Sequence, residues 1–220
     1  MRELSLLEAR VLGVLVEKAH TVPDSYPLSL NSLVAGCNQK TARDPVIQAT
    51  EAEVQVAIDA LKALHLAAES SGSRVTRYEH NMGRAMALPT QSVALLAVLM
   101  LRGPQTVAEL RASTERLHRF ADLSAVEGFL NELSERPAEK GGPLTIKLPR
   151  APGSRESRWA QLLCGAVDMA AVAGESVCED FISASELATL KCQQQEMRVE
   201  IEALRALVDR LYDELGVTRN

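Results

Sequence analysis

Apolar residues recur at steps of three and four from Leu4 to Ala19. Leu4, Leu7, Val11, Leu12, Val14 and Leu15 share one broad face, which predicts an amphipathic helix. Pro23 and Pro27 break the pattern, and a short helix is expected around Ser29 to Cys37, with Leu30, Leu33 and Val34 on its apolar side. Asn38 to Pro45 reads as polar loop. Thr50 and Glu53 then stand at the T-x-x-E spacing of a capping box, ahead of a stripe formed by Val54, Ala57, Ile58, Leu61 and Leu64. After Leu66 the period changes. Ala67 to Ser70 and Arg74 to His80 flank Ser71-Gly72-Ser73 as the two arms of a hairpin. Three helices followed by a hairpin are the elements of a winged helix.

The order then repeats. Helices are expected over Gln91 to Leu101, Thr106 to Ser113 and Ser124 to Arg136, and Val126, Phe129, Leu130 and Leu133 repeat the spacing of Val54, Ala57, Ile58 and Leu61. Pro143 to Leu148 and Arg158 to Leu163 form a second hairpin. Both hairpins carry G-S-R-x-x-R-aromatic, at Gly72 to Tyr78 and at Gly153 to Trp159, 81 residues apart. An internal repeat of this kind predicts a mainly α fold with small β-hairpins. Its units are two tandem winged-helix (helix-turn-helix) domains at 1–88 and 89–163.

Beyond Leu163 the pattern differs. Residues 164–184 read as a linker, small and apolar from Gly165 to Gly174. Within 185–216, Leu187, Leu190, Gln194, Met197, Ile201, Leu204, Val208, Leu211 and Leu215 alternate steps of three and four. This heptad seam predicts a C-terminal coiled-coil helix of roughly 43 Å. It would join two copies as a homodimer through Leu187, Leu190, Met197, Ile201, Leu204, Val208, Leu211 and Leu215. The other reading is a single amphipathic helix folded back on the winged helices.

Composition narrows the function classes. The chain has 220 residues, 46% hydrophobic and 24% charged, an ordinary globular balance. Aromatics make up only 3%, which argues against a cleft that stacks bases or sugars. The four cysteines, Cys37, Cys164, Cys178 and Cys192, lack the close spacing of a zinc or redox motif and fit a reducing compartment. Glu3, Glu8 and Arg10 interrupt the N-terminus where a signal peptide needs an apolar core, and the longest apolar run, Val93 to Leu101, is too short to span a bilayer. A cytoplasmic location without membrane association is expected. No catalytic constellation, phosphate loop or metal-ligand spacing occurs, so a non-enzyme without cofactor or metal is expected.

Charge is informative only when divided. The total is −5, with nine basic and ten acidic residues in 1–88, ten and eight in 89–163, and five and eleven in 164–220. Most of the acidity thus belongs to the C-terminal segment. Both third helices are net acidic, with Glu51, Glu53 and Asp59 against Lys62 in one and Glu127, Glu132 and Glu135 against Arg136 in the other. Gln55 and Asn131 are their only side chains suited to reading base edges. The hairpins carry positive charge instead. Candidate contacts to duplex DNA are therefore Arg74, Arg77, Lys147, Arg150, Arg155 and Arg158, extended by Lys40 and Arg43 in the loop before the third helix. The competing reading pairs such arginines with carboxylates of their own domain, for example Arg77 with Asp44 or Glu79.

The strings EARVLGVLVEKAHTVPDSYPLSLNSLVAGCNQKTARDPV, SGSRVTRYEHN, LRGPQTVAELR, RLHRFADLSAVEGFL and LPRAPGSRESRWAQLL resemble the YceH-like family of bacterial proteins over residues 4–163. That resemblance implies a tandem winged-helix fold in a cytoplasmic protein, with no biochemical activity attached to it. Two function classes stay open. One is a transcription-regulator-like protein whose wings contact duplex DNA, and the other is an adaptor that binds a protein partner without DNA.

Overall fold

A computed structural model describes residues 2–70, 75–150 and 155–167. The chain begins with α1 (Leu6–Thr21), the two-residue strand β1 (Leu28–Ser29), α2 (Leu30–Cys37) and α3 (Glu51–Ala63), followed by β2 (Ala67–Ser70) and β3 (Arg77–His80). A one-turn helix, α4 (Met82–Ala85), leads into α5 (Thr90–Arg102), α6 (Val107–Thr114), α7 (Leu123–Ser134), β4 (Thr145–Lys147) and β5 (Trp159–Gln161). The described residues are thus mainly helical, with seven α-helices and two small antiparallel sheets. The heptad positions from Leu187 to Leu215 lie outside them.

Helix starts are fixed chemically. Ser5, Thr50 and Thr106 each accept the N–H of a glutamate three residues on, and Glu8, Glu53 and Glu109 return the bond to the cap backbone. Each box satisfies two backbone donors that the helix leaves open, and loss of such a cap costs about 1 kcal/mol. The sequence pattern had marked only the box at Thr50.

The two sheets repeat one plan. In the first the strand order is β1-β3-β2, with Leu28 opposite Tyr78 and Ala67 opposite His80. In the second, β4 pairs with β5, and an isolated bridge joins Gln105 to Trp159 where the first repeat has β1. The aromatic residues of the two hairpin motifs, Tyr78 and Trp159, therefore occupy equivalent, buried positions. The third strand escaped the sequence pattern because two residues after Pro27, or one residue after Pro104, are too few to show alternation.

α5 positions everything else. Every residue from Ser92 to Leu101 is buried, as expected of a helix that is apolar on all sides. One side, with Leu96, Ala97 and Leu101, joins Val11, Leu15, Val54, Ile58 and Leu61 of α1 and α3 in the first core. The other side, with Leu95, Val98 and Leu99, joins Leu110, Val126, Leu130 and Trp159 in the second. α1 and α5 approach closely at Gly13, where an added Cβ would lie 2.9 Å from Leu101 Cγ. Residues Met1–Met169 form a single compact unit through this shared helix.

Candidate nucleic-acid interface

The residues expected to face phosphate divide into three groups. Arg43 corrects the sequence reading outright. Its side chain has no exposed surface, and its guanidinium binds the Glu17 carboxylate while donating to the backbone oxygens of Gly36 (3.1 Å) and Ala42 (2.8 Å). The loop before α3 is tied inward. Arg10 donates 2.6 Å to Pro45 O, and the Asn38 side-chain amide exchanges two bonds with Ala49, at 2.7 and 2.8 Å. Polar residues that the sequence placed in an open loop form its internal scaffold.

Arg77 also works inside its own repeat. From the start of β3 its Nη1 donates to Pro27 O (2.8 Å) and Ser25 O (3.3 Å), so its partners are carbonyls rather than the expected Asp44 or Glu79. Lys147 and Arg158 are exposed but have neighbours. Lys147 Nζ lies 3.0 Å from Glu127 on α7 and 5.5 Å from the Trp159 ring centroid, and Arg158 lies 3.9 Å from Glu109 on α6. Lys40, Arg150 and Arg155 are exposed. Arg74 falls outside the described residues.

Three cations that the sequence reading passed over stand out. Arg111, Arg116 and Arg119 are exposed around the turn from α6 to α7. The turn is held from beneath. Leu117 and His118 both donate their N–H to Thr114 O at 2.8 Å, and Phe120 is buried against the edge of His118 (4.8 Å) and of Phe129 (6.0 Å). Arg111 closes it by donating 3.1 Å to Ala121 O. The signal was present in R-L-H-R-F, where apolar Leu117 and Phe120 anchor the turn and Arg116 and Arg119 face water.

The outer face of α3 is different. Glu51, Ala52, Asp59 and Ala63 are exposed, and Val56 is 69% exposed. Lys62 is committed to Asp59 and Glu69, and Gln55 bonds Asp59 while accepting from the Tyr78 hydroxyl. That face offers phosphate neither an uncommitted cation nor free donors. On α7, by contrast, Ser124, Gly128 and Asn131 are exposed. Among the described residues no cluster of three His, Cys, Asp or Glu side chains could hold a metal ion, and no helix is long and apolar enough to cross a membrane.

The family model described as "Protein of unknown function, DUF480" matches residues 4–154. The chain is 60% identical over 219 residues to a UPF0502 protein of Leptothrix cholodnii, covering 98% of this chain and 97% of that one. It is 61% identical over 219 residues to a UPF0502 protein of Methylibium petroleiphilum, at 99% and 92% coverage. A UPF0502 protein of Burkholderia pseudomallei is 57% identical over 217 residues, at 99% and 91%.

Proposed function

Since the chain belongs to the DUF480/UPF0502 family of bacterial proteins, whose description carries no activity, we propose a role from its own surface: a non-catalytic, tandem winged-helix protein that binds duplex DNA through its second repeat. The carrying observation is the exposed Arg111, Arg116 and Arg119 at the α6–α7 turn, on the same repeat as exposed Arg150 and Arg155 beside the β4–β5 hairpin. A basic turn preceding a helix on which Ser124, Gly128 and Asn131 are exposed, in the same repeat as a basic hairpin, suits contact with phosphates beside a groove. Among the described residues of the first repeat, Arg43 and Arg77 are spent on internal bonds. In this reading the first repeat is the scaffold and the second is the reader.

Anisotropy of labelled duplexes across a salt series tests it. If the five exposed arginines touch phosphate, the log–log salt slope is about −4.5, and changing Arg111, Arg116 and Arg119 together to Ala reduces it to about −2, equally for all sequences. Absence of binding to varied genomic fragments at low salt overturns it. The adaptor reading draws on one specific feature, the uncharged, exposed Val56 in the middle of the acidic outer face of α3, which suits a protein partner better than DNA.

A further inference from the structure

A cavity of about 450 Å³ lies among α1, the loop before α3, the C-terminal end of α5 and β5. That volume is in the range of small-molecule sites. Its wall is chiefly apolar, with Leu7, Ile47, Leu99, Met100 and Ala160.

Arg10 is the buried cation of that wall, which also carries Asp44, Gln48, Glu53 and Gln161. It is 3% exposed on a helix whose following residues, Val11 and Leu12, are fully buried. Its Nη1 and Nη2 donate to backbone oxygens, Cys37 O at 3.3 Å and Pro45 O at 2.6 Å. Its Nε is buried without an acceptor, and among the described residues it forms no ion pair. The Cys37 thiol beside it is pushed up to about 12 by burial and stays neutral. Arg43 repels the charge, while Asp44 attracts it without reaching it. Burial is the largest influence on Arg10 and lowers its pKa. A buried cation is ordinarily matched by an anion, because removing it from water is costly otherwise. Of the carboxylates in the wall, Glu53 is exposed and accepts from Thr50 N and Oγ1, and Asp44 is exposed.

We propose that this cavity binds a small apolar carboxylic acid, its carboxylate meeting Arg10 and its hydrocarbon lying among Leu7, Leu99 and Met100. The chain would then be a ligand-responsive protein, whatever its second repeat contacts. The site is independent of the DNA reading, since none of the five exposed arginines lines it.

The test compares decanoate with decanol, equal in chain length but lacking the carboxylate, on the full chain. The only tryptophan, Trp159, precedes wall residues Ala160 and Gln161, so its fluorescence reports filling of the site. Saturable binding is expected, with decanoate at least about tenfold tighter than decanol, as a charge-assisted hydrogen bond supplies. Arg10→Met is expected to abolish that preference and leave decanol binding in place. Equal affinity of the two ligands, no saturation by either, or an unchanged preference in Arg10→Met overturns the proposal. Should that variant fail to fold, the wild type decides. Nuclear Overhauser contacts from decanoate methylenes to the Leu99 and Met100 methyls are expected, and contacts elsewhere on the chain refute the site.

Discussion

Arg43→Ala separates a scaffold residue from a phosphate contact. The substitution removes a side chain with no exposed surface and leaves the carbonyls of Gly36 and Ala42 without their donor. It also strips Glu17, whose side chain is 16% exposed, of its main cation, with Lys18 remaining 3.7 Å away. Breaking one partner out of a buried ion pair costs about 3–5 kcal/mol. Lys18 supplies part of the missing charge, so a loss of about 3 kcal/mol is expected, at the lower end of that range. For a unit of this size each kcal/mol moves the melting temperature by roughly 2–4 °C, giving a drop of roughly 6–12 °C. Lys40→Ala, in the same loop but exposed, is the control and should stay within about 0.5 kcal/mol. Thermal melts followed by circular dichroism measure both. A phosphate-contacting Arg43 would give the opposite pattern, with the melt unchanged and DNA affinity reduced. An Arg43→Ala protein that melts within a degree of wild type refutes the internal role.

How the fold could be read from the chain follows from what each element depends on. α1, α3, α5 and α7 each bury a stripe several turns long, so their apolar spacing recurs often enough to be counted. The equivalence of the two hairpins was legible for another reason. Tyr78 and Trp159 must each fill one buried slot at the head of an equivalent strand, and the flanking glycine and arginines repeat with them. Their register was not legible, since a turn at Ser71 to Ser73 would set Ser70 against Arg74 and the structure pairs Ser70 with Arg77. β1 and its counterpart at Gln105 depend on a partner far along the chain and leave no local trace. The all-round burial of α5 was visible as an apolar run. That it joins two cores could be seen only once Ala97 and Leu99, on opposite sides of the helix, were found in different cores.

The surface was less legible, because charge alone does not say which way a side chain turns. Arg43 and Arg119 stand in corresponding loops, each between the second and third helix of its repeat. Arg43 turns inward because Glu17 on α1 and the end of α2 present acceptors to it. Around Arg119 the space beneath the turn is already filled by Phe120 and Leu117, so the arginines there are left in water. The repeated hairpin arginines diverge as well. Arg77 reaches two carbonyls in the turn before β1, whereas Arg158 lies 3.9 Å from the carboxylate of Glu109. A duplicated motif therefore preserves the strand position and not the partner of its charge.

Two further perturbations probe the first repeat. Gly13→Ala gains helix propensity of about 0.5–1 kcal/mol but drives a methyl to 2.9 Å from Leu101 Cγ. A net loss of about 1 kcal/mol in urea melts is expected, largely relieved by Leu101→Ala in the same chain beyond that residue's own cost; a stabilised Gly13→Ala protein would mean that α1 and α5 do not meet there. His80 gives the pH dependence. Burial, with a smaller contribution from His20, holds its pKa below the usual histidine value, and its Nδ1 is buried without a partner. The native state thus resists the proton that the unfolded chain accepts near pH 6.5, so stability is full above that value and falls as pH drops from it toward the native pKa. His80→Gln should flatten the melting temperature between pH 7.5 and 5.5 relative to wild type. A wild-type slope that survives the substitution unchanged would place the proton uptake on another group.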